Sequence, residues 1–277
     1  MSTIKAHKVT KLARKTMLKL ENVSKAYYEK SHISSSDDNN DSTPFSEHVV
    51  LNNLNLSIGQ GEFITIVGRS GCGKSTLLNI VSGVDRSYIG IIHIDGKPIS
   101  QSTNTDRIVI FQEAALFPWL TVYENVEFGL KVAKLPKNRR RDIVMQYIDL
   151  VQLTNFADTF IHQLSGGMKQ RVAIARALVL DPKILLMDEP FSALDIQTRT
   201  ILYNQLLQIH RRTNKTILFV THNINEAVAL GDRVIVMSPL LANIWKEFTV
   251  DLPRPRQLDH PLINSITKEI IEKSKDL

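Results

Sequence analysis

Apolar and polar residues alternate along Leu18-Lys19-Leu20-Glu21-Asn22-Val23, the period of a strand with one buried face. A second strand region covers Val49 to Ile58, and an apolar stretch, Glu62 to Val67, follows it closely. Short β-type runs then recur at Ile91 to Ile94, Ile108 to Phe111, Ile184 to Met187, Ile217 to Val220 and Val234 to Met237. Among them Leu202, Leu206 and Ile209 repeat at helical spacing. Strands separated by helices predict an α/β fold with a largely parallel sheet covered on its faces. Residues 113–180 break the alternation. There Val172, Ala175 and Val179 share one helical face, so the region reads as a mainly helical lobe inserted between strands of the core. The stretch Glu29 to Glu47 is rich in Ser, Asp and Asn and cannot bury enough apolar surface to offset its ordering entropy. It is expected to be a disordered loop between the first two strands.

Composition narrows the class. Apolar residues make up 43% and charged residues 22% of the 277, so a core of ordinary size is available and a mostly disordered chain is excluded. The longest apolar runs, such as Ile184-Leu185-Leu186-Met187, fall far short of the roughly 20 residues that a membrane-spanning helix needs. The start of the chain lacks the apolar stretch of a secretory signal. Cys72, alone of its kind, excludes an internal disulfide and a multi-cysteine metal site and fits a reducing compartment. The net charge of +6 changes meaning once it is located. Residues 1–16 hold Lys5, Lys8, Lys11, Arg14 and Lys15 and no acid, leaving +1 for the other 261 residues. The tail is expected to be solvated and disordered, and the nearly neutral body argues against nucleic acid as a partner.

The candidate chemistry lies at two strand ends. Gly68-Arg69-Ser70-Gly71-Cys72-Gly73-Lys74-Ser75 fits G-x-x-x-x-G-K-[ST], directly after Ile64-Thr65-Ile66-Val67 and before the helix-like Thr76-Leu77-Leu78-Asn79-Ile80. In that strand–loop–helix setting glycines let backbone N–H groups turn toward phosphate oxygens, and the helix N-terminus adds a favourable dipole. Contacts from Gly68 through Thr76 are expected, with Lys74 neutralising the β- and γ-phosphates and Ser75 ligating Mg²⁺. Asp188-Glu189 follows the apolar run Ile184 to Met187, and a carboxylate at the end of a parallel strand suits a metal site. Asp188 is expected to hold Mg²⁺ and Glu189 to polarise an attacking water. Cys72 sits beside Lys74 and a helix start, which both favour a thiolate; it is either reactive on that ground or an inert filler of the loop.

Leu164-Ser165-Gly166-Gly167-Met168 resembles the signature L-S-G-G-Q of the ATP-binding subunits of ABC transporters, departing from it at Met168. Ser165 also makes chemical sense as a helix N-cap, and with Gly166 and Gly167 it presents an anion-binding helix start. The resemblance runs from about Leu18 to Arg256 and implies a P-loop NTPase (RecA-like) core with an antiparallel β subdomain and an inserted α-helical subdomain. It implies an ATP-binding domain over 17–250, between the basic tail and a short extension over 251–277. Gln112 matches the family glutamine that senses Mg²⁺ and the γ-phosphate, and Ser192-Ala193-Leu194-Asp195 the D-loop at the dimer interface. His222 matches the switch histidine, and either Tyr27 or Tyr28 fits the adenine-stacking aromatic. Two copies would sandwich ATP and Mg²⁺ head to tail, Lys74 of one chain and Ser165 of the other clamping one γ-phosphate.

The resemblance also implies transmembrane permease subunits as partners, a solute-binding protein acting through them, and a peripheral place on the cytoplasmic face of the membrane. The run Ala114-Ala115-Leu116-Phe117-Pro118-Trp119-Leu120 matches the region that receives the permease, although an apolar run alone is also what a core segment looks like. Phe111 to Trp119 and Val250-Asp251-Leu252-Pro253-Arg254-Pro255-Arg256 look like importers of the nitrate, sulfonate and taurine group, with aliphatic sulfonates favoured. By composition the Pro-Arg-Pro-Arg segment reads as an extended surface linker. The rival class is a non-transport ABC ATPase acting on nucleic acid or ribosomes. The continuous motif spacing, the one phosphate loop and the near-neutral body count against it.

Overall fold

A computed structural model describes residues 14–30, 45–99, 105–240, 242–254, 256 and 260–273. Its first two strands, β1 (Thr16–Lys30) and β2 (Phe45–Gly59), pair antiparallel. β3 (Phe63–Val67) leads through the glycine-rich turn into α1 (Lys74–Ser82), after which β4 (Ile89–Ile94) and β5 (Lys97–Pro98) return to the first sheet. β6 (Arg107–Ile110) precedes three helices, α2 (Val122–Val132), α3 (Lys137–Leu150) and α4 (Gly166–Leu178). Then β7 (Ile184–Asp188), α5 (Ile196–Thr213), β8 (Thr216–Val220), α6 (Ile224–Leu230) and β9 (Arg233–Ser238) alternate. β10 (Asn243–Thr249) and α7 (Pro261–Lys273) follow. The small sheet has the order β2-β1-β4-β5, and the large one β10-β9-β3-β8-β7-β6, parallel from β9 to β6.

The central strands are apolar on both faces because both are covered. Leu185, Met187, Ile217 and Phe219 face the core shared with α2, α3 and α4, while Ile184, Leu186, Leu218 and Val220 face the core shared with α1 and the small sheet. The lobe begins with a signal legible in sequence: Thr121 and Glu124 form a reciprocal capping box at the start of α2.

Three expectations need correction. The ladder between β1 and β2 continues past Tyr27, pairing Tyr28 with Glu47, Glu29 with Ser46 and Lys30 with Phe45, so the polar loop is shorter than 29–47. Backbone pairing needs no apolar side chain, which hid this from composition; residues 31–44 lie outside the described residues. The tail is also shorter than 1–16. Lys15 pairs with Asp95, Arg14 Nη1 lies 3.2 Å from Asp232 Oδ2, and Thr16 already belongs to β1; residues 1–13 lie outside the described residues.

The third correction concerns Arg254 and Arg256, which are not parts of a surface linker. Arg256 donates to the carbonyls of Val228 (2.8 Å), Gly231 (2.6 Å), Val250 (3.1 Å) and Leu252 (2.8 Å). Arg254 donates to Leu230 O and lies 3.1 Å from Asp232. Together they close the C-terminal end of α6. Burial, with Arg254 alongside, lowers the Arg256 guanidinium to about 10.

Candidate functional site

β8 lies between β3 and β7 in the sheet, and all three run parallel. Their C-terminal ends therefore set three loops side by side: the phosphate loop after β3, Asp188-Glu189 at the end of β7, and Thr221-His222 after β8. The ladder fixes the alignment, with Asp188 opposite Val220 and Val220 opposite Ile66.

The loop geometry depends on glycine. Gly71 and Gly73 have φ of +81° and +95°, the left-handed region. A Cβ on Gly73 would lie 2.9 Å from Val50 O, and one on Gly68 2.6 Å from Cys72 Sγ and 2.7 Å from Met237 O. Lys74 Nζ is held by Gly68 O at 2.9 Å and Arg69 O at 3.0 Å. Ser75 lies beside Asp188, whose carboxyl is raised chiefly by burial, with Glu189 adding to the effect and Ser75 and Lys74 opposing it. A hydroxyl and a carboxylate in contact are hard oxygen donors, few in number. That set fits Mg²⁺, which keeps waters and phosphate oxygens in its shell.

The reactive reading of Cys72 does not survive. Its side chain is 1% exposed, and desolvation outweighs the pull of Lys74, pushing the thiol up from its ordinary value. Sequence showed the cation beside the sulfur but not the core around it.

Glu189 has a φ of +45°, unusual for a residue with a side chain, and its N–H is held by Val220 O at 3.0 Å. Its Oε2 lies 3.0 Å from His222 Nδ1. These two residues line a cleft of about 560 Å³ with His48, Val50, Ser70, Gly71, Gly73, Lys74, Ser75 and Thr76. His48 and Val50 escaped the sequence reading, since only the pairing of β2 with β1 brings them here. That pairing also separates the two tyrosines. Tyr27 is opposite His48 and shares the face that reaches the cleft, while Tyr28 is opposite Glu47, bonds it at 3.2 Å and lies on the other face. Gln112 is exposed beyond the end of β6 and is not among the residues lining the cleft.

Ser165, Gly166, Gly167 and Asp195 gather elsewhere. Ser165 caps α4, its Oγ accepting from Met168 N at 3.3 Å, and Asp195 caps α5, accepting from Thr198 N at 2.9 Å. A Cβ on Gly166 would lie 3.0 Å from Leu194 Cδ2, and one on Gly167 2.6 Å from Thr198 Cγ2, so this helix start packs on the segment leading into α5. None of the four residues lines the cleft. The helix starts at Lys74 and at Ser165 thus do not meet within one chain.

A phosphate loop, a carboxylate pair and a histidine on adjacent parallel strands, with a helical lobe and a separate antiparallel sheet, define a P-loop ATPase cassette. The sequence profile of the ABC transporter family matches residues 51–192. The nitrate import ATP-binding protein NrtD of Synechocystis is 48% identical over 74% of this chain and 77% of its own length. The bicarbonate transport ATP-binding protein CmpD of Synechococcus elongatus is 43% identical over 86% and 81%. A solved ATP-binding cassette dimer bound to ADP and Pi superposes with a TM-score of 0.68 at 33% identity, covering 86% of this chain and all of that one. The chain belongs to the ABC transporter family, as an ATP-binding subunit.

Proposed function

We propose that the chain hydrolyses ATP in a head-to-tail dimer and thereby drives a membrane importer of small oxyanions. One observation carries the reading: Lys74, Ser75, Glu189 and His222 converge in one cleft, while the Ser165 helix start lies outside it. A second copy can supply the missing face. Lys74 would neutralise transferring phosphate, Glu189 would polarise water, and the contact with His222 would keep its carboxylate oriented. Ser75 and Asp188 would hold Mg²⁺, which supplies charge neutralisation on the phosphates. Tyr27 is the better candidate for stacking on adenine.

The permease would dock in an apolar groove of about 550 Å³ lined by Ile108, Phe117, Phe128, Val132, Ala173 and Arg176. Trp119 is 69% exposed nearby in sequence, an unusual state for tryptophan in a core segment. Arg176 of α4 donates to Ala114 O and Ala115 O, so the groove is tied to the Ser165 helix. No helix among the described residues is long and apolar enough to cross a membrane, and attachment to the cytoplasmic face would come through the permease. Within the oxyanion class the local sequence runs favour aliphatic sulfonates with taurine and nitrate close behind, whereas the named relatives favour nitrate or bicarbonate. Growth of a deletion strain on each anion as the limiting source separates these cargoes.

Size-exclusion chromatography with ATP and Mg²⁺ tests the site. Glu189→Gln should lose roughly 10²-fold or more in hydrolysis and run as a dimer. Adding Ser165→Arg should return it to monomer. A Glu189→Gln chain that hydrolyses normally and stays monomeric would overturn the reading.

A further inference from the structure

Half-buried Arg199 and buried Tyr203, Glu226 and Thr221 form a polar path between the segment that packs on the Ser165 helix and the histidine of the cleft. At one end Arg199 of α5 reaches back to the segment, Nη2 donating to Ser192 O at 3.3 Å and Leu194 O at 2.8 Å. Leu194 is the residue against which Gly166 packs. One turn along α5, Tyr203 is 5% exposed, and its hydroxyl lies beside both Arg199 and Glu226. Glu226 of α6, also 5% exposed, accepts from the Thr221 hydroxyl. Thr221 is fixed on its other sides, its N–H donating to Ile66 O at 3.1 Å and its Oγ1 accepting from Asn223 N at 3.0 Å. His222, between Thr221 and Asn223, then contacts Glu189 at 3.0 Å.

We propose that Glu226 is a positioning residue which, through Tyr203 and Arg199, sets the His222–Glu189 contact according to the placement of Ser192–Asp195. This rests on the proposed ATPase reading of the cleft. A buried carboxylate is costly, and an apolar residue of similar size would fill the space more cheaply. Here the Thr221 hydroxyl donates to it, and the Tyr203 hydroxyl lies beside it. Both hydroxyls belong to segments whose far ends touch working parts, the helix start on one side and the cleft on the other. Burial raises the Glu226 carboxyl, and the Thr221 and Tyr203 hydroxyls and Arg199 oppose that rise. A shift of the segment that draws the Ser192 and Leu194 carbonyls from Arg199 reaches His222 through closely packed polar side chains, each lying beside the next. When a second chain seats against Ser165 and the neighbouring segment, His222 is brought to or released from Glu189 without any residue of that chain touching the histidine.

The test uses Tyr203→Phe, Glu226→Gln and Arg199→Gln in the full chain. In steady-state hydrolysis, each of the first two should lower kcat about tenfold or more while KM for ATP changes less than about threefold, because the phosphate loop is untouched. The double variant Tyr203→Phe/Glu226→Gln should be no worse than the poorer single one, as expected for residues acting in series. The ring resonances of His222, followed by NMR through a pH titration without nucleotide, should move in Arg199→Gln even though Arg199 belongs to a different helix. Unchanged His222 resonances in Arg199→Gln overturn the path. So do kcat values within twofold of the parent enzyme, or losses that add in the double variant. If the parent chain shows no hydrolysis, the ATPase reading fails, and the NMR arm still decides whether the path exists.

Discussion

Arg256→Ala offers the sharpest check on how the C-terminal segment works, because composition assigns it to a solvated linker and the structure makes it a clasp. Its guanidinium serves four carbonyls, those of Val228, Gly231, Val250 and Leu252. At about 1.5 kcal/mol for a charged donor bonded to each carbonyl, the gross loss is roughly 6 kcal/mol. Removing the side chain also removes the cost of burying it. Burial and the neighbouring Arg254 hold the guanidinium down at about 10, which puts that cost at roughly 3 kcal/mol. The net destabilisation is therefore about 3 kcal/mol, which for a chain of this size lowers the melting temperature by roughly 6–10 °C. Arg256→Lys should recover less than half of the loss, since one ammonium cannot span four acceptors as a planar fork does. Differential scanning calorimetry of the three proteins is the assay. A melting temperature within about 1 °C of the parent for Arg256→Ala, or full recovery by lysine, would refute the clasp.

Cys72 should resist alkylation in the native state and react only on unfolding, measured by mass spectrometry against a denatured control; rapid native modification would contradict its burial. Gly73→Ala should weaken ATP binding roughly tenfold or more, since a strained left-handed residue costs at least about 1 kcal/mol and its Cβ would also press on Val50 O. Fluorescent-nucleotide titration reads this, and unchanged affinity would show that the loop tolerates a side chain there. Deleting residues 1–13, or shortening 31–44, should leave nucleotide affinity within about threefold; a tenfold loss, about 1.4 kcal/mol, would place one of them on the site.

The corrections share a cause. Lys74 and the helix start were visible beside Cys72, and both do favour a thiolate, yet the largest effect on the sulfur comes from burial in the core shared by α1 and the small sheet. Arg254 and Arg256 stood in a proline-rich setting that composition associates with solvent, and their acceptors are carbonyls of α6, of Gly231 just after it and of the chain beyond β10. In each case the deciding atoms are distant in sequence or belong to the backbone, where residue type gives no signal.

The local chemistry was determined by the sequence itself. A phosphate loop needs glycine at specific left-handed positions followed by lysine and serine, and a strand-end carboxylate needs an apolar run before it, so both are written in adjacent residues. Helical and strand periods likewise located most of the sheet and the inserted lobe; β10 and α7 went unread, although Ile263, Ile266 and Ile270 recur along α7 at helical spacing. Only the tertiary structure decided which strands are neighbours. Placing β8 between β3 and β7 brings His222 to Glu189, and the register of β2 on β1 turns Tyr27 rather than Tyr28 toward the cleft. Strand order and register are set by the packing of whole faces, and a one-residue slip would exchange every side chain between them, so no stretch of sequence specifies them on its own.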